Sequence, residues 1–201
     1  MSAAPLLRAW VENEATWQDA AANLPWTEPG AAAVGADRGA TQALIHADSR
    51  SITVTLDLLP MVQRWTADPS TNVGLILQIA GEPGALARVN LASREHSITD
   101  QRPRLIVAYT TDPLEPTLTP TATDTPTATS VPTQTATPLP TPNPWITTTL
   151  VQGMDGFHGF YDATITSGTP NTNYGARPEN NVSWISYWPG PDDRTLMRVD
   201  L

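Results

Sequence analysis

Between Pro113 and Pro144 the chain holds nine Pro and eleven Thr, with no aromatic residue and no Gly. Such a stretch cannot bury enough apolar surface to offset the conformational entropy of ordering it. Whatever folds must do so on either side. A hexapeptide repeat runs through it as PTATDT, PTATSV, PTQTAT and PLPTPN, with Pro120, Pro126, Pro132 and Pro138 in register. Proline biases such a segment toward polyproline II at roughly 3 Å per residue, so its expected span approaches about 90 Å. Thr/Pro stalks of this composition are usual between extracellular modules, and their Thr hydroxyls are candidate O-glycosylation acceptors. The chain is therefore organised as residues 6–110, a Thr/Pro-rich disordered linker over 111–149, and residues 150–201.

Both flanks carry the period of strands. Ile52, Val54, Leu56 and Leu58 alternate in SITVTLDL, the pattern of a half-buried strand, and PMVQRW (60–65) follows as a short helical or turn element. NVGLILQIA (72–80), ARVNLAS (87–93) and RLIVAYT (104–110) are further strands, separated by turn-forming DPSTN and GEPG. The first forty residues lack this regularity and read as a long Ala-rich loop anchored by Trp17 and Trp26. After the linker, YDATIT (161–166), VSWISYW (182–188) and RTLMRVDL (194–201) are strands around the turn-rich SGTPNTNYGARPENN. Short strands without alternating long helices predict an all-β fold, an antiparallel jelly-roll-like β-sandwich. Three strands are too few to stand alone, so the 150–201 segment needs a partner.

Composition removes several functions. A net charge of −9 with no Lys leaves no basic cluster for nucleic acid. The absence of Cys removes disulfides, thiolate catalysis and zinc–thiolate sites together. No apolar run is long enough to span a membrane, and MSAAPLLRAWVENEATW lacks the regions of a signal peptide. If the protein is secreted, its signal is expected to lie outside this chain.

Catalytic patterns are weak. Glu12 and Glu14 are spaced to share a strand face, but adjacent same-face carboxylates are ordinarily solvated surface. His46, His96 and His158 have no ligand spacing, and Ser93, although close to Glu95 and His96, lies in no nucleophile elbow. No enzyme activity is expected of this chain. PDD (191–193) and NTNYG (171–175) offer oxygen ligands of the kind calcium takes, though Asp and Asn there are equally turn formers; no cofactor is otherwise expected. Asn181-Val182-Ser183 matches an N-glycosylation sequon. The better lead is aromatic. Trp184, Tyr187 and Trp188 offer flat rings of the kind that stack on sugar C–H faces, and Trp184 and Trp188 share one strand face. The alternative for the Trp pair is to fill the fold's interior.

DATITSGTPNTNYG followed by RTLMRVDL resembles the beginning of a DNRLRE-type domain, a bacterial and archaeal surface module classed with carbohydrate-binding module family ninety-six. The matching positions are Asp162–Ile165, Asn171–Gly175 and Leu196–Leu201, with Met197 and Val199 as departures. WVENEATW (10–17), WTEPGAAAVGAD (26–37), ITVTLDLLPMVQRW (52–65), NVGLIL (72–77), LASREH (91–96) and RPRLIVAY (102–109) resemble the other end of the same domain. The resemblance implies the back of one module, a linker and the front of the next: a fragment of a tandem array. The modules are either incomplete or completed by permuted pairing of the two segments, as a monomer or intramolecular tandem. It also implies a non-catalytic bacterial module, extracellular or at the cell surface, that binds polysaccharide or cell-surface glycan within a larger secreted protein. The alternative is a structural spacer or adhesin repeat without a ligand of its own.

Overall fold

The computed structural model describes residues 1–44, 53–79, 86–110, 145–185 and 191–201. It is all-β with antiparallel ladders and one short α-helix. In chain order the strands are β1 (Ser2–Pro5), β2 (Asp19–Ala21), β3 (Leu24–Pro25) and β4 (Ala43–Leu44). Helix α1 (Leu59–Ala67) precedes β5 (Leu75–Gln78), β6 (Leu86–Ala92), β7 (Arg104–Tyr109) and β8 (Ile146–Val151). The chain ends with β9 (Phe160–Thr166), β10 (Glu179–Ile185) and β11 (Asp193–Val199).

The chain divides into two compact units, Met1–Leu105 with Leu150–Leu201, and Ile106–Thr149. The second unit contains most of β7 and β8, which pair with each other. Strand β8 begins inside the stretch that the composition assigns to the linker.

The first unit is built on a sheet of order β4-β1-β5-β11-β10-β6, with β9 on the other edge of β11. Both cross-linker ladders are antiparallel: Leu196 lies opposite Ile76 between β11 and β5, and Val182 opposite Val89 between β10 and β6. Strands from 150–201 thus fill the sheet between strands of the N-terminal segment. The two segments therefore pair within one sheet.

The apolar run Leu75-Ile76-Leu77 makes sense in this position, because both faces of β5 are covered. On one face Ala4, Ile76, Ala163, Ile165 and Leu196 pack under the N-terminal segment with Trp10 and Trp26. On the other, Ala3, Leu75 and Leu77 pack with Met61 and Trp65 of α1 and with Val182 of β10. Met61 and Trp65 are four residues apart and share one side of the helix. Pro60 in the first turn suits the helix start, where its missing N–H leaves no bond unmade.

Two expectations change. Residues 53–58 form no strand, yet Val54, Leu56 and Leu58 are half-buried while Thr53, Thr55 and Asp57 are exposed. Leu56 and Leu58 pack against the α1 side of the core, so the alternation records packing without a ladder. Ile52 lies outside the described residues. Strand β1 carried no strand signal, because Ser-Ala-Ala-Pro is small rather than β-branched; its four residues are buried on both faces.

Candidate functional site

A groove of about 260 Å³ opens where β10 and β6 meet the end of β9 and the 167–177 loop. Thr164 and Thr166 reach it from alternate positions of β9, Asn181 from β10, Arg88 from β6 and Asp193 from β11, while the loop adds Tyr174 and Arg177. The loop is shaped by its own side chains. Asn173 Oδ1 accepts from the Gly175 amide, and Asn173 Nδ2 donates to the carbonyls of Glu12 and Ala15 at 2.7 and 2.8 Å. Gly175 is obligatory there, since a Cβ would sit 2.3 Å from the Glu12 carbonyl oxygen.

Within the groove the Arg177 guanidinium lies over the Tyr174 ring, 3.9 Å from its centroid. The Tyr174 hydroxyl is 2.5 Å from Thr169 Oγ1. Asp193 is held from two sides, by Ser183 Oγ at 2.9 Å and by Arg88 Nη2 at 3.3 Å. Thr164 Oγ1 donates to Asn180 Oδ1 and accepts from the Asn181 amide. Among the described residues, the Asn181 carboxamide and the Arg177 guanidinium have no hydrogen-bond partner. The groove therefore offers a hydroxyl-rich ligand an amide, guanidinium donors and an aromatic edge.

A buried polar network lies on the same side of β9. Asp162 Oδ1 accepts from Asn180 Nδ2 at 2.8 Å and Oδ2 from the Arg94 amide at 2.7 Å. The Asp162 amide donates to Glu12 Oε1, and Arg94 Nη2 donates to Glu12 Oε2. Burial pushes the Asp162 carboxyl up to about 7, against the hydrogen bonds from Asn180 and Arg94. Burial also raises Glu12, against the Asp162 amide and the Arg94 charge. Glu12 and Glu14 are not a pair. Glu12 points into this network, whereas exposed Glu14 accepts from the Ala22 amide, so the same-face spacing fails because residues 12–14 form a turn and not a strand.

Trp184 lies on β10 two residues from buried Val182, so its ring takes the side opposite Ser183 and the groove. It is half-buried, and its Nε1 is buried without a partner. Tyr187 and Trp188 lie outside the described residues, as does His46. Among the described residues, the His96 and His158 rings hydrogen-bond only Ile98 and Gln152. Ser93 is fully buried and donates to the Arg177 carbonyl at 2.6 Å. In PDD, Asp192 pairs with Arg194 and Asp193 faces Ser183 and Arg88, while Asn173 forms an Asx turn. Among the described residues no group of three or more His, Cys, Asp or Glu is arranged to hold a metal.

Tyr174 and Arg177 were invisible as site residues because NTNYG reads as a turn former. The only available signal was an aromatic ring in a loop followed by Arg three residues later. Asn181 stood out only as a sequon. Comparison with known proteins returned no matching family model, no matching curated protein and no matching solved structure.

Proposed function

We propose that this chain is a non-catalytic, jelly-roll-like sandwich module of a larger extracellular protein, and that it binds polysaccharide or cell-surface glycan. The observation that carries the reading is the groove, where the Asn181 amide and the Arg177 guanidinium stand without hydrogen-bond partners among the described residues, beside the Tyr174 ring. Sugar hydroxyls need such unengaged donors and acceptors, and a ring edge to pack against. The DNRLRE-like motifs and the Thr/Pro segment support the same assignment. Trp184, on the other side of β10 from the groove, and Tyr187 and Trp188, outside the described residues, are the further stacking rings that the sequence offers.

The test is a glycan array with the full chain, followed by affinity measurement of Tyr174→Ala, Asn181→Ala and Trp188→Ala. A hit should lose at least tenfold in affinity in Tyr174→Ala or Asn181→Ala with an unchanged circular dichroism spectrum. The second reading, a spacer or adhesin repeat, is favoured by the groove threonines, whose hydroxyls are already engaged by Asn180, the Gly168 amide and the Tyr174 hydroxyl. Indifference of the native chain to every glycan would select it.

A further inference from the structure

The first unit is held together across residue 110 rather than along the chain. Its β5–β11 and β6–β10 ladders each join a strand before that point to one after residue 145. Side-chain bonds do the same, among them Asn72 Nδ2 to the Val199 carbonyl, the Asp162 amide to Glu12, and Asn173 Nδ2 to the Glu12 and Ala15 carbonyls. Ile76 and Leu196, both fully buried, face each other at the centre of this seam. None of these bonds requires that its two sides share a covalent chain. The tether alone enforces that.

In a single chain the tether leaves β7 and returns at β8. The Arg102 bond to the Gln152 carbonyl, at 2.8 Å, puts the start of one strand beside the end of the other. A tether whose proline spacing favours an extended span of about 90 Å must therefore bring its ends side by side. A short flexible linker gives an effective concentration near 1 mM for closure, and length and stiffness both lower it. A second copy then competes for the same seam at modest protein concentration.

We propose that residues 145–201 of one copy insert between β5 and β6 of a second copy, giving a reciprocal, segment-exchanged dimer with every ladder retained. Opening a folded seam exposes Leu75, Ile76 and Leu77, so exchange occurs during folding and the dimer persists after dilution.

The test begins by refolding the full chain from denaturant at protein concentrations from about 1 μM to about 1 mM, with mass read by light scattering. The dimer fraction should rise with refolding concentration while circular dichroism stays constant, and isolated dimer should not revert on dilution. Replacing 111–144 by an Asn-Gly turn converts β7–β8 into a hairpin and should give monomer throughout. A chain that is monomeric at every concentration, or a dimer that survives in the hairpin variant, would overturn the proposal. Complementation provides an independent readout. Ile76→Asp and Leu196→Asp should each fail to fold alone, yet their equimolar mixture, refolded together, should recover about half the native signal, because one exchanged body contains neither Asp. A mixture no better than its separate components would also overturn it.

Discussion

The two faces of the central sheet are buried by different means. One is covered by residues 6–40, which contribute only the short β2–β3 ribbon and hold their shape through indoles and a carboxylate. Trp10 Nε1 donates to the Val73 carbonyl and Trp26 Nε1 to the Thr16 carbonyl, each at 3.0 Å. Asp37, fully buried, accepts from the Thr27 and Glu28 amides and from Arg8 Nε. The other face is covered chiefly by α1, whose backbone groups satisfy one another, with Leu56 and Leu58 beside it. An irregular layer has to enlist side chains to satisfy its backbone, and a regular layer does not. Loss of one side chain should accordingly cost the irregular layer more.

The largest expected effect is that of Trp26→Ala, which empties a core site and orphans the Thr16 carbonyl. It should cost about 3–5 kcal/mol in urea unfolding and strip hydrogen-exchange protection from residues 8–37 before α1. Equal loss of protection on both faces would break the comparison.

The next test is of charge. Burial acts to raise Asp37, but the Glu28 and Thr27 amides, the Thr27 hydroxyl and Arg8 overcome it and hold the carboxyl below its ordinary range. Asp37 thus stabilises the fold above its unfolded pKa of 3.8, and that contribution is lost as pH falls through the lower folded value. Asp162, among the residues facing β10, behaves oppositely. Between 3.8 and about 7 it ionises in the unfolded chain but stays protonated in the fold, so stability falls as pH rises through that window. Urea midpoints measured from pH 4 to 8 should decline, and Asp162→Asn should flatten the decline. An unchanged slope in the variant would remove Asp162 as its source.

The smallest effect sharpens the contrast. Trp10→Phe keeps most of the ring but leaves the Val73 carbonyl unpaired, and should cost about 1–2 kcal/mol. Trp65→Phe on α1, where the indole N–H has no partner among the described residues, should cost less by the same assay. Equal costs would mean that the indole bonds are incidental.

The same contrast explains what the sequence made legible. Helix α1 and strands β5, β6, β7, β9 and β11 follow from period and turn residues, because regular layers repeat. Trp17 and Trp26 stood out as anchors of the loop, and Trp17 does pack under the Arg194 guanidinium, 4.9 Å away. Strand β1 did not stand out, since Ser2–Pro5 owes its place to neighbours rather than to propensity. Nor did the groove: Arg88 is far in sequence from Thr164, Tyr174 and Arg177 and joins them only when β10 settles beside β6. Asp162 could be read as part of a strand motif, but its partners, buried Glu12 and half-buried Arg94, are supplied by tertiary pairing.

That interleaving also sets a timetable. During synthesis the edge of β5 is complete long before β11, its neighbour in the sheet, has been translated. At roughly 5–20 residues per second, the interval is on the order of 10 s. Over that time Leu75, Ile76 and Leu77 have no native strand to pair with on that edge, and the nascent chain depends on whatever else shields them.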